Sequence, residues 1–136
     1  MKKYIRVLIC MPFTLLKFCF IKVFHFNSFL FHPFSIFSVN SEVTIENKGK
    51  LRLGKLVRAR GGSRLRVRPG GKLFIGSDVF FNCGCIITAK HSVTIGDGVE
   101  FGPNVLIYDH DHDFRCEGGI KSKQFKCSEV LIGDNC

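Results

Sequence analysis

The chain has 136 residues, 46% of them hydrophobic, which is enough for one domain with its own core. Its net charge of +9 averages two unlike halves: residues 1–72 hold fifteen Lys and Arg against two acidic residues, and residues 73–136 hold five against nine. The seven cysteines are odd in number and form no CxxC pair, which argues against a zinc site or a disulfide framework. We therefore expect reduced core cysteines, Cys83 and Cys85 among them, in a cytoplasmic protein.

Residues 1–38 differ in composition from the rest of the chain, with nine of the fifteen Phe, five Lys or Arg and no acidic residue. The longest uncharged apolar run, residues 7–16, contains Pro12 and is shorter than the about 20 residues that a membrane span needs. Lys17 and Lys22 interrupt the apolar stretch and no small-residue cleavage site follows, so a secretory signal is disfavoured. Two compatible interpretations stay open: a helical cap over the end of a solenoid, and peripheral contact with a membrane surface.

After residue 38 the sequence changes to short apolar pairs at i and i+2, the spacing that places two side chains on one face of a strand. The pairs are Val43/Ile45, Leu51/Leu53, Leu65/Val67 and Leu73/Ile75. A period of six residues then runs through Ile75, Phe81 and Ile87, slips by two near His91, and resumes through Ile95, Phe101 and Ile107. A period of six fits neither a helix nor a simple hairpin strand, but it fits a coiling chain that stacks short strands into a solenoid.

A basic stretch, residues 48–72, contains ten Lys and Arg and no acidic residue. Its arginines at alternating positions between Arg58 and Arg68 are expected to point outward on one basic face. No aromatic residue is interleaved for base stacking and no nucleic-acid-binding motif is present, so we expect no nucleic-acid partner. Anionic phospholipid, a phosphorylated or nucleotide-linked substrate, and a plain solvated face all remain compatible with it.

The repeat is lost over residues 108–128 and returns in residues 129–136, where the sequence stops partway through a new repeat. A connection of about twenty residues in a compact domain is typically functional. We expect residues 39–136 to form a solenoid domain that is incomplete at its C-terminus.

The segment Asp109-His-Asp-His-Asp113 opens this connection. Alternation places His110 and His112 on the same side of an extended strand, an arrangement that suits proton transfer and is also used by divalent metal sites. A solvated polar loop without chemistry is a third interpretation. The surrounding repeats favour the first interpretation, and we expect no metal requirement.

Residues 95–114 and 79–87 resemble the hexapeptide-repeat acyltransferases, in the branch of maltose, galactoside and Nod-factor O-acetyltransferases and the capsule and O-antigen acetyltransferases. The resemblance implies an all-β fold, a left-handed parallel β-helix, here preceded by a short N-terminal helical segment. It also implies acetyl-CoA as co-substrate, a sugar or saccharide acceptor in surface polysaccharide synthesis, and a homotrimer with active sites between subunits. The expected location is the cytoplasm, including the inner face of the membrane.

The resemblance assigns His112, rather than His110, as general base, and Asn82 as an acceptor contact. Tyr108 and His110 are the other expected acceptor contacts, and one of Asp109, Asp111 or Asp113 is expected to orient the second ring nitrogen of the base. A thioester is already activated, so direct attack by the sugar hydroxyl needs a base and no protein nucleophile. The alternative is a truncated, non-catalytic β-helix that serves only oligomerisation or binding.

Overall fold

The structure is a computed structural model that describes residues 2–136, with side chains from Val7 onward. Within this range one helix, α1 (Lys2–Phe24), precedes fifteen short strands and a single 3-10 turn at Gly119–Ser122. The strands are β1 (Phe29–Leu30), β2 (Ile36–Phe37), β3 (Glu42–Ile45), β4 (Lys50–Leu53), β5 (Arg58–Ala59), β6 (Arg64–Val67), β7 (Lys72–Ile75), β8 (Phe80–Phe81), β9 (Ile86–Ala89), β10 (Ser92–Ile95), β11 (Glu100–Phe101), β12 (Leu106–Tyr108), β13 (His110–His112), β14 (Phe125–Cys127) and β15 (Val130–Ile132).

Three parallel sheets form the walls of a solenoid of about four turns. The first sheet has the order β1-β4-β7-β10-β15, the second β2-β5-β8-β11, and the third β3-β6-β9-β12. Each turn, or coil, therefore gives one strand to each wall in sequence, and β15 adds to the first wall after the connection. This confirms the predicted all-β class, a parallel β-helix with an N-terminal helical segment.

The register of the walls explains the slip in the repeat. Leu51 pairs with Leu73, 22 residues further on, whereas Leu73 pairs with Val93, only 20 residues further on. The two missing residues belong to the corner that joins β9 to β10, which contains Lys90 and His91. The predicted slip near His91 is thus a shortened corner between the third and fourth coils.

The core lies between the three walls and includes the predicted apolar pairs and one inward residue from each strand of the second wall. Leu51, Leu65 and Leu73 are fully buried. In the second wall the rings of Phe81 and Phe101 stack with centroids 4.8 Å apart and planes 2° apart. Each such side chain stabilises the fold by about 1.5–3 kcal/mol relative to an exposed position, so the stacked coils supply most of the apolar burial.

Helix α1 covers the first coil with a narrow stripe of residues spaced four apart. Cys10, Thr14 and Phe18 are buried on this stripe. The Phe18 ring packs edge-on against Phe29 and Phe37, with centroids 5.3 and 4.9 Å away. The Thr14 hydroxyl accepts the Phe37 N–H at 2.8 Å. The helix therefore shields the aromatic end of the core from water.

The expectation of core cysteines is correct for Cys10 and Cys85, which are buried, and wrong for four of the others. Cys19, Cys83, Cys127 and Cys136 are exposed and Cys116 is half-buried. Cys83 lies in the turn between β8 and β9, where the side chain points away from the core although Cys85, two residues later, is inside. Burial raises the pKa of the Cys85 thiol, so this cysteine is an unreactive packing residue.

The expected single basic face is also wrong. Arg58 lies on the second wall and Arg66 on the third, so the arginines point away from different faces of the solenoid. Acidic side chains one coil away pair with several of them: Arg58 with Asp78 at 2.8 Å, and Arg66 with Glu42 at 3.2 Å. The local sequence of residues 48–72 gave no sign of these acids, because the coil brings them in from about twenty residues away.

Candidate functional site

The His-Asp segment leaves the solenoid at the end of β12. Asp109 follows β12 directly, and β13 (His110–His112) then pairs antiparallel with β14 (Phe125–Cys127). In this pairing His110 lies opposite Cys127 and His112 opposite Phe125. The predicted long connection is therefore a two-stranded ribbon projecting from a corner of the fourth coil.

Asp109 anchors the ribbon to the coil beneath it. Its side chain is fully buried, and its carboxylate accepts the backbone N–H groups of Lys90 at 2.8 Å and His91 at 2.6 Å. These donors belong to the shortened corner of the third coil. Burial alone would raise the pKa of Asp109, but the hydrogen bonds from Lys90, His110 and His91 outweigh it and lower the pKa. Asp109 is therefore a buried, ionised carboxylate with hydrogen-bonded partners.

The same carboxylate holds His110. The Nδ1 atom of His110 lies 2.8 Å from Oδ1 of Asp109, and the His110 side chain is only 12% exposed. The rings of Tyr108 and Phe125 lie 5.8 and 5.6 Å from the His110 ring, edge-on. The structure thus brings together three predicted site residues, Tyr108, Asp109 and His110, with His110 fixed in one orientation.

His112 has a more open environment. The residue is exposed, and its ring lies 4.4 Å from the ring of Phe125 between centroids. The backbone N–H of His112 donates to Asp111 at 2.7 Å. Among the residues that the structure describes, no carboxylate bonds the His112 ring. Asp109 therefore contacts His110, Asp111 contacts the backbone, and His112 presents its ring nitrogens to solvent.

Two residues of this site were missed from the sequence. Phe125 packs against both histidines, and the Lys90 ammonium lies 4.2 Å from the centre of the Phe125 ring. Lys90 precedes the cluster by about twenty residues and Phe125 follows it by more than ten, so spacing gives no signal for either. The slip near His91 was the available signal for Lys90, because it marks the shortened corner that contains both residues.

Asn82 lies at a different corner. It follows β8 in the third coil, where its Oδ1 accepts the backbone N–H of Cys83 at 2.9 Å. His112 belongs to the neighbouring coil but lies beyond the C-terminal end of β12 on the third wall. A four-residue strand such as β9 (Ile86–Ala89), about 13 Å long, separates the two corners. A single chain therefore does not bring Asn82 to His112.

Across residues 2–136, no group of three or more His, Cys, Asp or Glu side chains is arranged to hold a metal ion. The Asp109 carboxylate is already occupied by backbone donors and His110. The ribbon carries one fixed imidazole, one solvent-exposed imidazole and a phenylalanine ring that packs against both, with an ammonium group nearby. This is a set of groups suited to binding a polar molecule and moving a proton.

Comparison with known proteins returns two partial matches. The chain is 38% identical to Nodulation protein L of Rhizobium leguminosarum bv. viciae over 71 residues, which cover 51% of this chain and 35% of that protein. It is 44% identical to Nodulation protein L of Rhizobium meliloti (strain 1021) over 43 residues, covering 32% and 24% respectively. The chain thus spans about a third of the first relative's length and about a quarter of the second's. No protein-family model and no solved structure matches the chain.

Proposed function

We propose that the protein is an acyltransferase that moves an acetyl group from acetyl-CoA to a sugar hydroxyl, in the synthesis of a surface saccharide. The observation that carries the proposal is the His-Asp ribbon, locked by Asp109 to a corner of the solenoid so that an open imidazole projects beside it. The parallel β-helix and the similarity to two nodulation proteins support the same family of O-acetyltransferases that the sequence resembles.

In this mechanism His112 is the general base. Its open ring nitrogen accepts the proton of the sugar hydroxyl while the hydroxyl oxygen attacks the thioester carbonyl carbon. The carbon–sulfur bond then breaks, the acetyl group stays on the sugar oxygen, and the CoA sulfur leaves with the proton that His112 had taken. Exposure supports His112 in this role, because its ring is open to solvent whereas the His110 side chain is only 12% exposed.

The remaining site residues bind and position. His110 and Tyr108 line the acceptor side of the ribbon, and Asp109 keeps the ribbon in place through the backbone of Lys90 and His91. Asn82 reaches the acceptor only from a second copy of the chain, because it lies at another corner of its own coil. A homotrimer that joins the Asn82 corner of one subunit to the His112 corner of the next satisfies this requirement.

The test is a transfer assay on the purified chain with acetyl-CoA and a panel of mono- and oligosaccharides. Free CoA thiol and the O-acetyl ester are both measured, so that hydrolysis is separated from transfer. We expect ester formation by the wild type and by a His25→Ala control, and a loss of about 10²–10⁴-fold in His112→Ala. No ester with any acceptor, together with equal CoA release by wild type and His112→Ala, would leave only a binding or oligomerising scaffold.

A further inference from the structure

Helix α1 turns an uncharged surface away from the solenoid. Its stretch Val7–Phe24 has a mean hydropathy of 2.0 and is long and apolar enough to cross a membrane, by length and composition, yet only 17% of it is buried. One stripe, formed by Cys10, Thr14 and Phe18, faces the first coil. The exposed residues of this stretch, which we call the outward face, are Leu8, Ile9, Pro12, Phe13, Leu15, Leu16, Cys19, Phe20, Val23 and Phe24.

The two lysines that interrupt the apolar sequence do not interrupt this surface. The Lys17 ammonium donates to the backbone carbonyl of Ser41 on the first coil at 2.5 Å. The Lys22 ammonium donates to the carbonyls of Phe26 and Phe29, both at 2.6 Å. Burial lowers the pKa of Lys17, and the nearby Glu42 works against that shift. Both charges are directed to the protein side of the helix, so the outward face carries none.

The apolar surface continues beyond the helix. Phe26 and Phe34 are exposed on the segments that follow α1. An open groove of about 210 Å³, lined by Phe20 and Phe24 of the helix and by Val43 and Ile45 of β3, joins the helix to the first coil. An exposed apolar area of this extent on a folded chain marks a surface with a partner.

The charge near this apolar surface favours an anionic bilayer over a second copy of the chain as the partner. Residues 1–41 contain five Lys or Arg, three of them within the first six positions, and no acidic residue. A second copy docked face to face offers no acidic residue within residues 1–41 to pair with these basic residues. A bilayer containing anionic phospholipid is attracted to the basic residues and accepts the apolar ones.

We infer that the outward face of α1 docks the protein on the surface of an anionic phospholipid bilayer, with the helix lying in the plane of the interface. The helix does not need to leave the first coil to do this, because its buried stripe and its outward face are on opposite sides. Docking by this surface is independent of the proposed acetyl transfer.

Vesicle flotation of the full chain tests the inference, with phosphatidylcholine vesicles made with and without phosphatidylglycerol. We expect binding to the anionic vesicles that weakens as salt is raised, and at least about tenfold weaker binding for Leu16→Glu. The matched control is Leu131→Glu, on β15, since Leu131 is 74% exposed and Leu16 is 72% exposed. Equal binding by the two variants, or no vesicle binding by the wild type, would overturn the inference. A change in molecular mass with Leu16→Glu but no change in vesicle binding would point to a second copy instead.

A second measurement does not depend on a disruptive substitution. The chain contains no Trp, so Phe20→Trp and the control Leu131→Trp each carry a single tryptophan. We expect the emission of Phe20→Trp alone to shift to the blue on anionic vesicles and to be quenched most by lipids brominated near the headgroup. Strongest quenching by bromines at the bilayer centre would mean a spanning helix and contradict surface docking.

Discussion

The buried carboxylate of Asp109 hydrogen-bonds both to the coil beneath it and to the ribbon. It accepts the N–H groups of Lys90 and His91 and contacts His110. An amide in its place presents an NH2 group that cannot accept, so one oxygen is left for the backbone donors that two carboxylate oxygens now share. Asp109→Asn is therefore expected to reduce the free energy of unfolding by about 1–3 kcal/mol at neutral pH, as measured by urea denaturation. Asp111→Asn is the matched control, because Asp111 is exposed, and it should change stability by less than about 0.5 kcal/mol.

The pH dependence of that difference follows from the lowered pKa of Asp109. In the unfolded chain an aspartate titrates near pH 4. Because the folded-state pKa lies below the unfolded one, the stabilisation is present above about pH 4 and is lost as pH falls through the folded pKa. The gap in unfolding free energy between wild type and Asp109→Asn should therefore shrink as denaturation is repeated below pH 4. A gap that grows on acidification would contradict the assignment of Asp109 as ionised.

At the scale of the coils, a column of glycines lets neighbouring turns approach closely. Gly54, Gly76 and Gly96 occupy equivalent positions after β4, β7 and β10, and a Cβ on Gly76 would lie 2.7 Å from the carbonyl carbon of Gly96. That atom belongs to backbone and cannot move aside without shifting the next coil. Gly76→Ala should thus lower the free energy of unfolding by about 1–3 kcal/mol.

The control for this prediction is Gly102→Ala. A Cβ at Gly102 would meet nothing within 4 Å, so the thermal midpoint should stay near that of the wild type. Similar losses of stability in Gly76→Ala and Gly102→Ala would mean that the close approach of coils does not limit the size of the corner residue.

The sequence predicted the elements of the solenoid far better than the surroundings of its site. Ile75, Phe81 and Ile87 fall six apart because they lie on successive walls of one coil. The slip near His91 corresponds to a shortened corner. Contacts between coils leave no such local pattern. The pairing of Glu42 with Arg66 and the packing of Phe125 on the histidines both join residues more than ten positions apart. The sequence left the role of residues 1–38 open between a helical cap and contact with a membrane surface. It does not show which side of the helix Lys17 and Lys22 occupy, whereas the structure does.

For the whole molecule, the proposal that Asn82 and His112 share an acceptor predicts a site built from two subunits, because the two corners lie apart in one chain. Asn82→Ala and His112→Ala are each expected to be impaired alone. Co-expressed in equal amounts, they should form mixed trimers in which about a quarter of the sites join an intact Asn82 to an intact His112. Recovery of about a quarter of wild-type transfer in the mixture, against none on mixing the separately purified trimers, is the expected result. A mixture no more active than its parents would show that the two residues do not form a site across subunits.

The most direct test of His112 as the general base compares the acetyl-transfer rates of His112→Ala and His110→Ala at saturating acetyl-CoA. Proton abstraction is the role proposed for His112, whose ring is open to solvent, and positioning is the role proposed for His110, whose side chain is enclosed beside Asp109. We expect the acetyl-transfer rate to fall by about 10²–10⁴-fold in His112→Ala and clearly less in His110→Ala. Wild-type rates in His112→Ala, with the large loss in His110→Ala, would contradict this proposal and move the base to the histidine that Asp109 holds.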